Sequence, residues 1–238
     1  MTQPTWDVSL QRQLVHQGSR FTLDVRFATA QPHLALVGPS GAGKSQTLKM
    51  IAGIARPDTG RVQVAGRLLH DSASGFSLPA QRRRLGYVFQ DYALFPHLTV
   101  RQNIGFARRG GWLNPQRAWP DDTVQRWLRA FHLTAIADHQ PHQISGGQRQ
   151  RTALARALAA EPAALLLDEP FAALDKPLRA HLRRELRDLR ADIDIPTLLI
   201  THDDEDAALL AGEVLHMQAG RLVPAAQAAQ AVWAEVAR

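Results

Sequence analysis

The sequence predicts an α/β fold: a parallel sheet with helices on its faces, and a helical block inserted between two parts of it. Two observations carry the prediction. From Ala163 onward, apolar runs and helical patterns alternate as "AALLLDEP", "LRAHLRRELRDLR", "TLLITH", "DDEDAALLAG" and "EVLHMQAGRLV". Between Asp91 and Ala160, by contrast, the pattern is helical and looped.

Taken in order, "FTLDVRF" (Phe21–Phe27) and "HLALVG" (His33–Gly38) read as strands. A glycine-rich turn over Gly38–Ser45 leads into a helix, "QTLKMIAGI". "GRVQVAGRLL" (Gly60–Leu69) returns to period two, and "RLGYVFQ" (Arg84–Gln90) is a further strand ending at Gln90. The loosest stretch is "RRGGWLNPQRAWPDD" (Arg108–Asp122), and "AAQAAQAVWAEVAR" over 225–238 reads as a closing helix. There is no internal repeat.

Composition excludes more than it assigns. The net charge of +6 permits an anionic partner. However, most arginines alternate with Glu and Asp along helices, as on a solvated face, so nucleic acid is not expected as a partner. The absence of cysteine removes disulfides, thiolate metal sites and cysteine nucleophiles. The N-terminus lacks the layout of a signal peptide, and no apolar run approaches the roughly 20 residues of a membrane span.

Chemistry enters at "GPSGAGKS": Gly38, Pro39, Ser40, Gly41, Ala42, Gly43, Lys44 and Ser45 fill the phosphate-loop pattern G-x-x-x-x-G-K-[ST] between a strand and a helix. Glycines let successive N–H groups turn inward around phosphate oxygens, and the helix N-terminus adds partial positive charge. Lys44, one of only three lysines, is expected on the β- and γ-phosphates, and Ser45 on Mg²⁺. The leucine run of "AALLLDEP" marks a strand buried on both faces, which delivers Asp168 to its C-terminal end as the second Mg²⁺-side residue. Glu169 follows as the group that polarises attacking water. His202 ends the apolar strand "TLLITH" as a γ-phosphate contact, and Gln90 reaches metal or water in the same crevice. A second phosphate-binding corner is written at Ser145-Gly146-Gly147, where a serine and two glycines open a long helix.

"GPSGAGKS", Gln90, "ISGGQ", "LLLDEP", "ALD" and His202 occur in the order and approximate spacing of the nucleotide-binding subunits of ABC transporters, which the chain resembles over nearly its whole length. The resemblance implies one nucleotide-binding domain over 1–238. It would have a P-loop NTPase core with a mixed, mostly parallel sheet, an N-terminal antiparallel β subdomain and a helical subdomain at about 91–160. It implies ATP and Mg²⁺ as ligands and Gln46 as part of the ATP loop. Ser145, Gly146, Gly147 and Gln148 become a signature motif that serves the ATP of a second copy, packed head to tail. Asp175 becomes the residue coupling the two sites. The surface Gln90–Val100, with Tyr92, Leu94, Phe95 and Leu98, is implied as the dock for a transmembrane permease subunit, which places the chain on the cytoplasmic face of the inner membrane. A substrate-binding protein would be an indirect partner.

The wording "FQDYALFPHLTVRQNI" resembles importers, and Gly66–Val100 is most similar to molybdate-importer ATPases, with sulfate, ferric iron and polyamine importers as alternatives. A soluble ABC ATPase acting on nucleic acid is the reading outside transport. Three departures from the family stand out. Ile144 replaces the usual leucine of the signature. No aromatic residue for stacking on adenine is obvious, His16 and Phe21 being the candidates. No C-terminal regulatory domain is expected after the closing helix.

Overall fold

The computed structural model describes residues 3–16, 19–106, 121–172, 176–193 and 195–227. Eleven strands among them form one sheet. Its parallel part is built from β3 (His33–Val37), β7 (Leu85–Val88), β8 (Ala164–Asp168) and β9 (Thr197–Thr201), in the order β3-β9-β8-β7. β8 and β9 are buried at every position, as strands covered on both faces must be. Their alternating side chains separate two cores. Leu165, Leu167 and Leu199 point into one, while Ala164, Leu166, Leu198 and Ile200 point into the other.

The N-terminal half is antiparallel, as expected for that part of the fold. β1 (Trp6–His16) and β2 (Ser19–Thr29) pair in register from Trp6↔Thr29 to His16↔Ser19. β4 (Thr59–Val64), β5 (Arg67–Asp71) and β6 (Phe76–Ser77) extend the sheet beyond β1. Trp6, Val8 and Leu10 face Leu23, Val25 and Phe27 in the core, at the period of two that "FTLDVRF" displays. The "EVLHMQAGRLV" run folds as a hairpin, β10 (Glu213–Gln218) with β11 (Arg221–Val223). It joins the two halves by pairing in parallel with β3 and with β2. The mostly parallel character therefore belongs to the core half only.

α1 (Lys44–Ala52) packs Leu48, Met50 and Ile51 on one face of the sheet. On the other face lie α2 (Val100–Gly105), α3 (Asp122–Ala130) and α4 (Gly146–Ala159), which separate β7 from β8 in the chain. Their Ile104, Trp127, Leu128, Leu154 and Leu158 share a core with Leu165, Leu167 and Phe171. α5 (Lys176–Ile193) adds Leu186 and α6 (Asp204–Leu210) adds Leu210 to the same core. Residues 225–227 are helical; the rest of the expected closing helix, and most of the loose stretch 108–122, lie outside the described residues.

One residue of the Arg82-Arg83-Arg84 cluster takes an unforeseen role. Arg83 is buried and donates to the carbonyls of Met50 and Ile51 at the end of α1 (2.9 and 2.7 Å) and of Leu78 (2.9 Å). Burial draws its pKa below the usual guanidinium value. A planar fork of N–H donors reaches carbonyls on separate segments from a single rigid group. Among the described residues no helix is long and apolar enough to cross a membrane.

Candidate nucleotide site

The C-terminal ends of the parallel strands meet at one rim, because β3, β9, β8 and β7 run in register from Val37↔Thr201 to Val88↔Leu167. Whatever follows each strand is delivered to the same crevice. After β3 comes the loop Gly38–Ser45. Gly38 is required by close approach: a Cβ there would lie 2.0 Å from the Met217 carbonyl oxygen of β10. Gly43 caps α1 at φ +102, a conformation that L side chains rarely adopt.

Lys44 is buried, and its ammonium donates to the carbonyls of Gly38 (2.7 Å) and Pro39 (2.9 Å), with Glu169 Oε1 at 3.9 Å. Burial lowers its pKa, while the charges of Glu169 and Asp168 oppose the shift. The lysine thus lies across the loop mouth, held by groups that a phosphate oxygen can replace.

A cleft of about 860 Å³ is lined by residues 40–46, by Gln90 and Glu169, and by Leu14, Arg20 and Phe21 from the hairpin β1–β2. Phe21 stands beside the loop, since a Cβ added to Gly43 would meet its ring at 3.2 Å. The side chain of His16 lies outside the described residues.

Asp168 ends β8, is nearly inaccessible, and has both oxygens engaged. Ser45 Oγ donates to Oδ1 at 2.8 Å and the Tyr87 hydroxyl donates to Oδ2 at 2.9 Å. Burial, reinforced by the Asp168 charge, drives the Tyr87 pKa upward, so the phenol remains a donor. Sequence reasoning passed over Tyr87. Its signal is a tyrosine inside an apolar strand, since a buried phenol usually finds a partner.

Glu169 adopts φ +45, uncommon for a non-glycine residue, immediately after the strand. Its Oε2 lies 3.2 Å from His202 Nδ1. Gln90 sits two residues past the end of β7 rather than on it, and is exposed. It lines both this cleft and an adjoining one of about 820 Å³ that includes Ser45 and Asp168. Ser45, Asp168 and Gln90 thus offer oxygen donors on one wall. That set fits Mg²⁺, which keeps several waters and phosphate oxygens and takes only one or two protein carboxylates. Among the described residues no group of three or more His, Cys, Asp or Glu could hold a metal unaided.

The second corner is built differently. Ser145 caps α4: its Oγ accepts from the Gln148 amide (3.3 Å), and Gln148 Oε1 accepts from the Ser145 amide (2.8 Å). Ser145 is exposed, Gly147 is buried, and Ile144 packs in the core, which accommodates its departure from leucine. None of Ser145, Gly146, Gly147 or Gln148 lines either cleft. Asp175 lies outside the described residues.

In the Gln90–Val100 segment, Tyr92 and Leu98 belong to the core, whereas Leu94 and Phe95 are only half-buried. The expected groove of four apolar residues therefore reduces to two. Arg156 of α4 holds the segment by donating to the carbonyls of Tyr92 (2.8 Å) and Ala93 (2.7 Å).

A phosphate loop and two strand-end acids at one rim of a parallel sheet, with a glycine-opened helix in the helical block, define a nucleotide-binding cassette. The chain belongs to the ABC transporter family, whose model matches residues 24–172. It is 48% identical over 189 residues to a sulfate/thiosulfate import ATP-binding protein of Nephroselmis olivacea, covering 79% of this chain and 53% of that one. An Fe(3+) ions import ATP-binding protein of Rhodococcus jostii is 49% identical over 189 residues (79% and 52%). A molybdate/tungstate import ATP-binding protein of Archaeoglobus fulgidus is 44% identical over 203 residues (85% and 80%). The chain spans about half the length of the sulfate and iron relatives. Among solved structures, the ATP-binding cassette MJ0796 in a dimeric post-hydrolysis state, bound to ADP and Pi, matches with a TM-score of 0.74. The two are 28% identical, over 92% of this chain and 97% of that one.

Proposed function

We propose that the chain is the ATP-hydrolysing subunit of an importer, working as a head-to-tail pair with two ATPs at the interface and moving molybdate or a related oxyanion. The observation that carries this reading is the mismatch between the two corners. The phosphate loop, Gln90 and Glu169 line one cleft, Ser45 and Asp168 line the adjoining one, and His202 meets Glu169, whereas none of Ser145–Gln148 lines either cleft. A two-fold pair gives each cleft the other copy's signature and leaves no unmatched face. The dimeric, ADP-bound state of the solved relative supports this arrangement.

In this reading the loop amides, Gln46 and Lys44 hold the phosphates, while Phe21, rather than His16, packs against the base. Ser45, Asp168 and Gln90 would hold Mg²⁺, which would supply positive charge to offset the negative charge developing on the phosphates. Glu169 accepts a proton from water as its oxygen attacks the γ-phosphorus, and the bond to the bridging oxygen breaks to release ADP. His202 donates toward the γ-phosphate oxygens and keeps Glu169 oriented through their 3.2 Å contact. ATP shifts the pair toward closure because it contacts the second copy only there, and loss of the γ-phosphate reverses the shift. Asp175 couples the two sites. Leu94 and Phe95 of Gln90–Val100 receive a permease helix, which holds the chain peripherally on the cytoplasmic side of the inner membrane, with a substrate-binding protein beyond.

No residue of the cleft would touch the cargo, so its assignment rests on likeness. The Gly66–Val100 phrase resembles molybdate importers, and a molybdate/tungstate relative matches over 80% of its own length. Sulfate and ferric iron are the alternatives that other relatives' names supply, with polyamine behind them. The test is cellular molybdenum by mass spectrometry at limiting molybdate, in host cells lacking the chain. Wild type should restore uptake and Glu169→Gln should not. Unchanged molybdenum without the chain would move the cargo to sulfate, iron or polyamine.

A further inference from the structure

His202 is more than half exposed, and the described contact of its ring is the one with Glu169. An exposed ring with a single contact cannot fix its own place, so its position depends on the backbone that carries it. That backbone is held with unusual thoroughness. Thr201 Oγ1 accepts from the Asp203 amide (3.1 Å) across His202 and donates to Asp206 Oδ2 (2.7 Å). Asp203 caps α6 by accepting from the amides of Glu205 (2.9 Å) and Asp206 (3.3 Å).

Both carboxylates that flank the turn are then gripped from α5. Arg183, 8% exposed, donates through Nε to Asp206 and through its two terminal nitrogens to Glu205 (2.6 Å) and Asp203 (2.7 Å). Arg179, one turn earlier, donates to the same Asp203 oxygen at 2.7 Å. One guanidinium thus directs its donors to three carboxylates, those of the α6 cap Asp203 and of Glu205 and Asp206 in its first turn. Burial opposes its charge, but these bonds outweigh burial and keep it protonated. Such a buried charge cluster is a poor source of stability compared with apolar packing, though it specifies geometry well.

We infer that Arg183 is the positioning residue for His202: it acts through Asp203, Asp206 and Thr201 to set where the histidine ring meets Glu169 and the γ-phosphate. The inference rests on the role given to His202 in the proposed function.

The test reads the ring itself. In the 238-residue chain with ¹³C-labelled histidine, the His202 Cε1 resonance is assigned by its loss in His202→Gln. Arg183→Met should displace or broaden that resonance, and should lower kcat by about tenfold while KM for ATP stays within about twofold. Arg183→Lys should not rescue kcat, because an ammonium cannot span three carboxylates. An unmoved His202 resonance, alongside a lowered melting temperature, would overturn the inference and leave Arg183 a structural residue. If Arg183→Met fails to fold, the isosteric Thr201→Val removes the last link and is read in the same way, an unmoved resonance again being fatal. If His202→Gln hydrolyses ATP like wild type, the role given to His202 falls, while the resonance still reports whether Arg183 positions the ring.

Discussion

The loop after β3 and the corner before α4 are both glycine-rich helix openings suited to phosphate, yet they differ in how complete they are. Gly38–Ser45 is enclosed: β10 presses on Gly38, Lys44 is buried, and Asp168, Glu169 and Phe21 stand around it. Ser145–Gln148 is tied by the reciprocal Ser145 and Gln148 bonds and by its own helix, and its serine faces solvent. A helix N-terminus with donors and partial positive charge but no surrounding walls needs a surface brought to it. On the proposed head-to-tail reading, one corner can be tested on a single chain, whereas the other would acquire its ligand only when two chains meet.

Variants separate the two corners in order of expected effect. Glu169→Gln should lower the hydrolysis rate by about 10² to 10⁴-fold while ATP still binds, which a phosphate-release assay and a binding titration read separately. Lys44→Ala should weaken ATP binding by about a hundredfold even in the isolated chain, because a charge-assisted contact to the phosphates is removed. Retention of wild-type affinity would mean that the loop carbonyls, not phosphate, are the lysine's real partners. Ser145→Arg should leave single-chain ATP affinity within about twofold but lose hydrolysis, since a bulky cation replaces the partner's phosphate contact. An equal loss of affinity in that variant would place the signature on its own chain's ATP and break the comparison.

Smaller effects sharpen the first corner. Phe21→Ala should weaken ATP binding by about tenfold, the loss expected for one base–aromatic stack, and should reduce discrimination against GTP. His16→Ala should do neither. Tyr87→Phe should raise the Mg²⁺ concentration needed for half-maximal hydrolysis by about threefold, because Asp168 loses one of its two donors.

The legibility of the sequence follows the same division. The phosphate loop, Asp168 and Glu169 could be read because their geometry is local: a loop pattern between strand and helix, and acids at the end of a leucine run. The alternation of β8 and helix-flanked β9 likewise set the parallel half of the sheet. Gln90 was placed with the right neighbours but on a strand that stops at Val88. Of the four apolar residues read as a groove, with about half of them allowed to be core, Tyr92 and Leu98 are the buried pair, and their aromatic and aliphatic character suits either place. The residues that sequence reasoning missed all have distant partners. Tyr87 meets Asp168 across 81 positions, Arg83 meets Met50 across 33, and Arg183 meets Asp206 across 23. Arginine on a helix reads as a solvated face until tertiary packing turns it inward, and only the fold says which one turns.

Whether the second corner serves ATP held by another copy is decided by sedimentation of Glu169→Gln with saturating ATP and Mg²⁺. Head-to-tail pairing should give a species of twice the 26.3 kDa chain that vanishes when Ser145→Arg is added, although ATP remains bound. A Glu169→Gln chain that stays monomeric while saturated with ATP would contradict it.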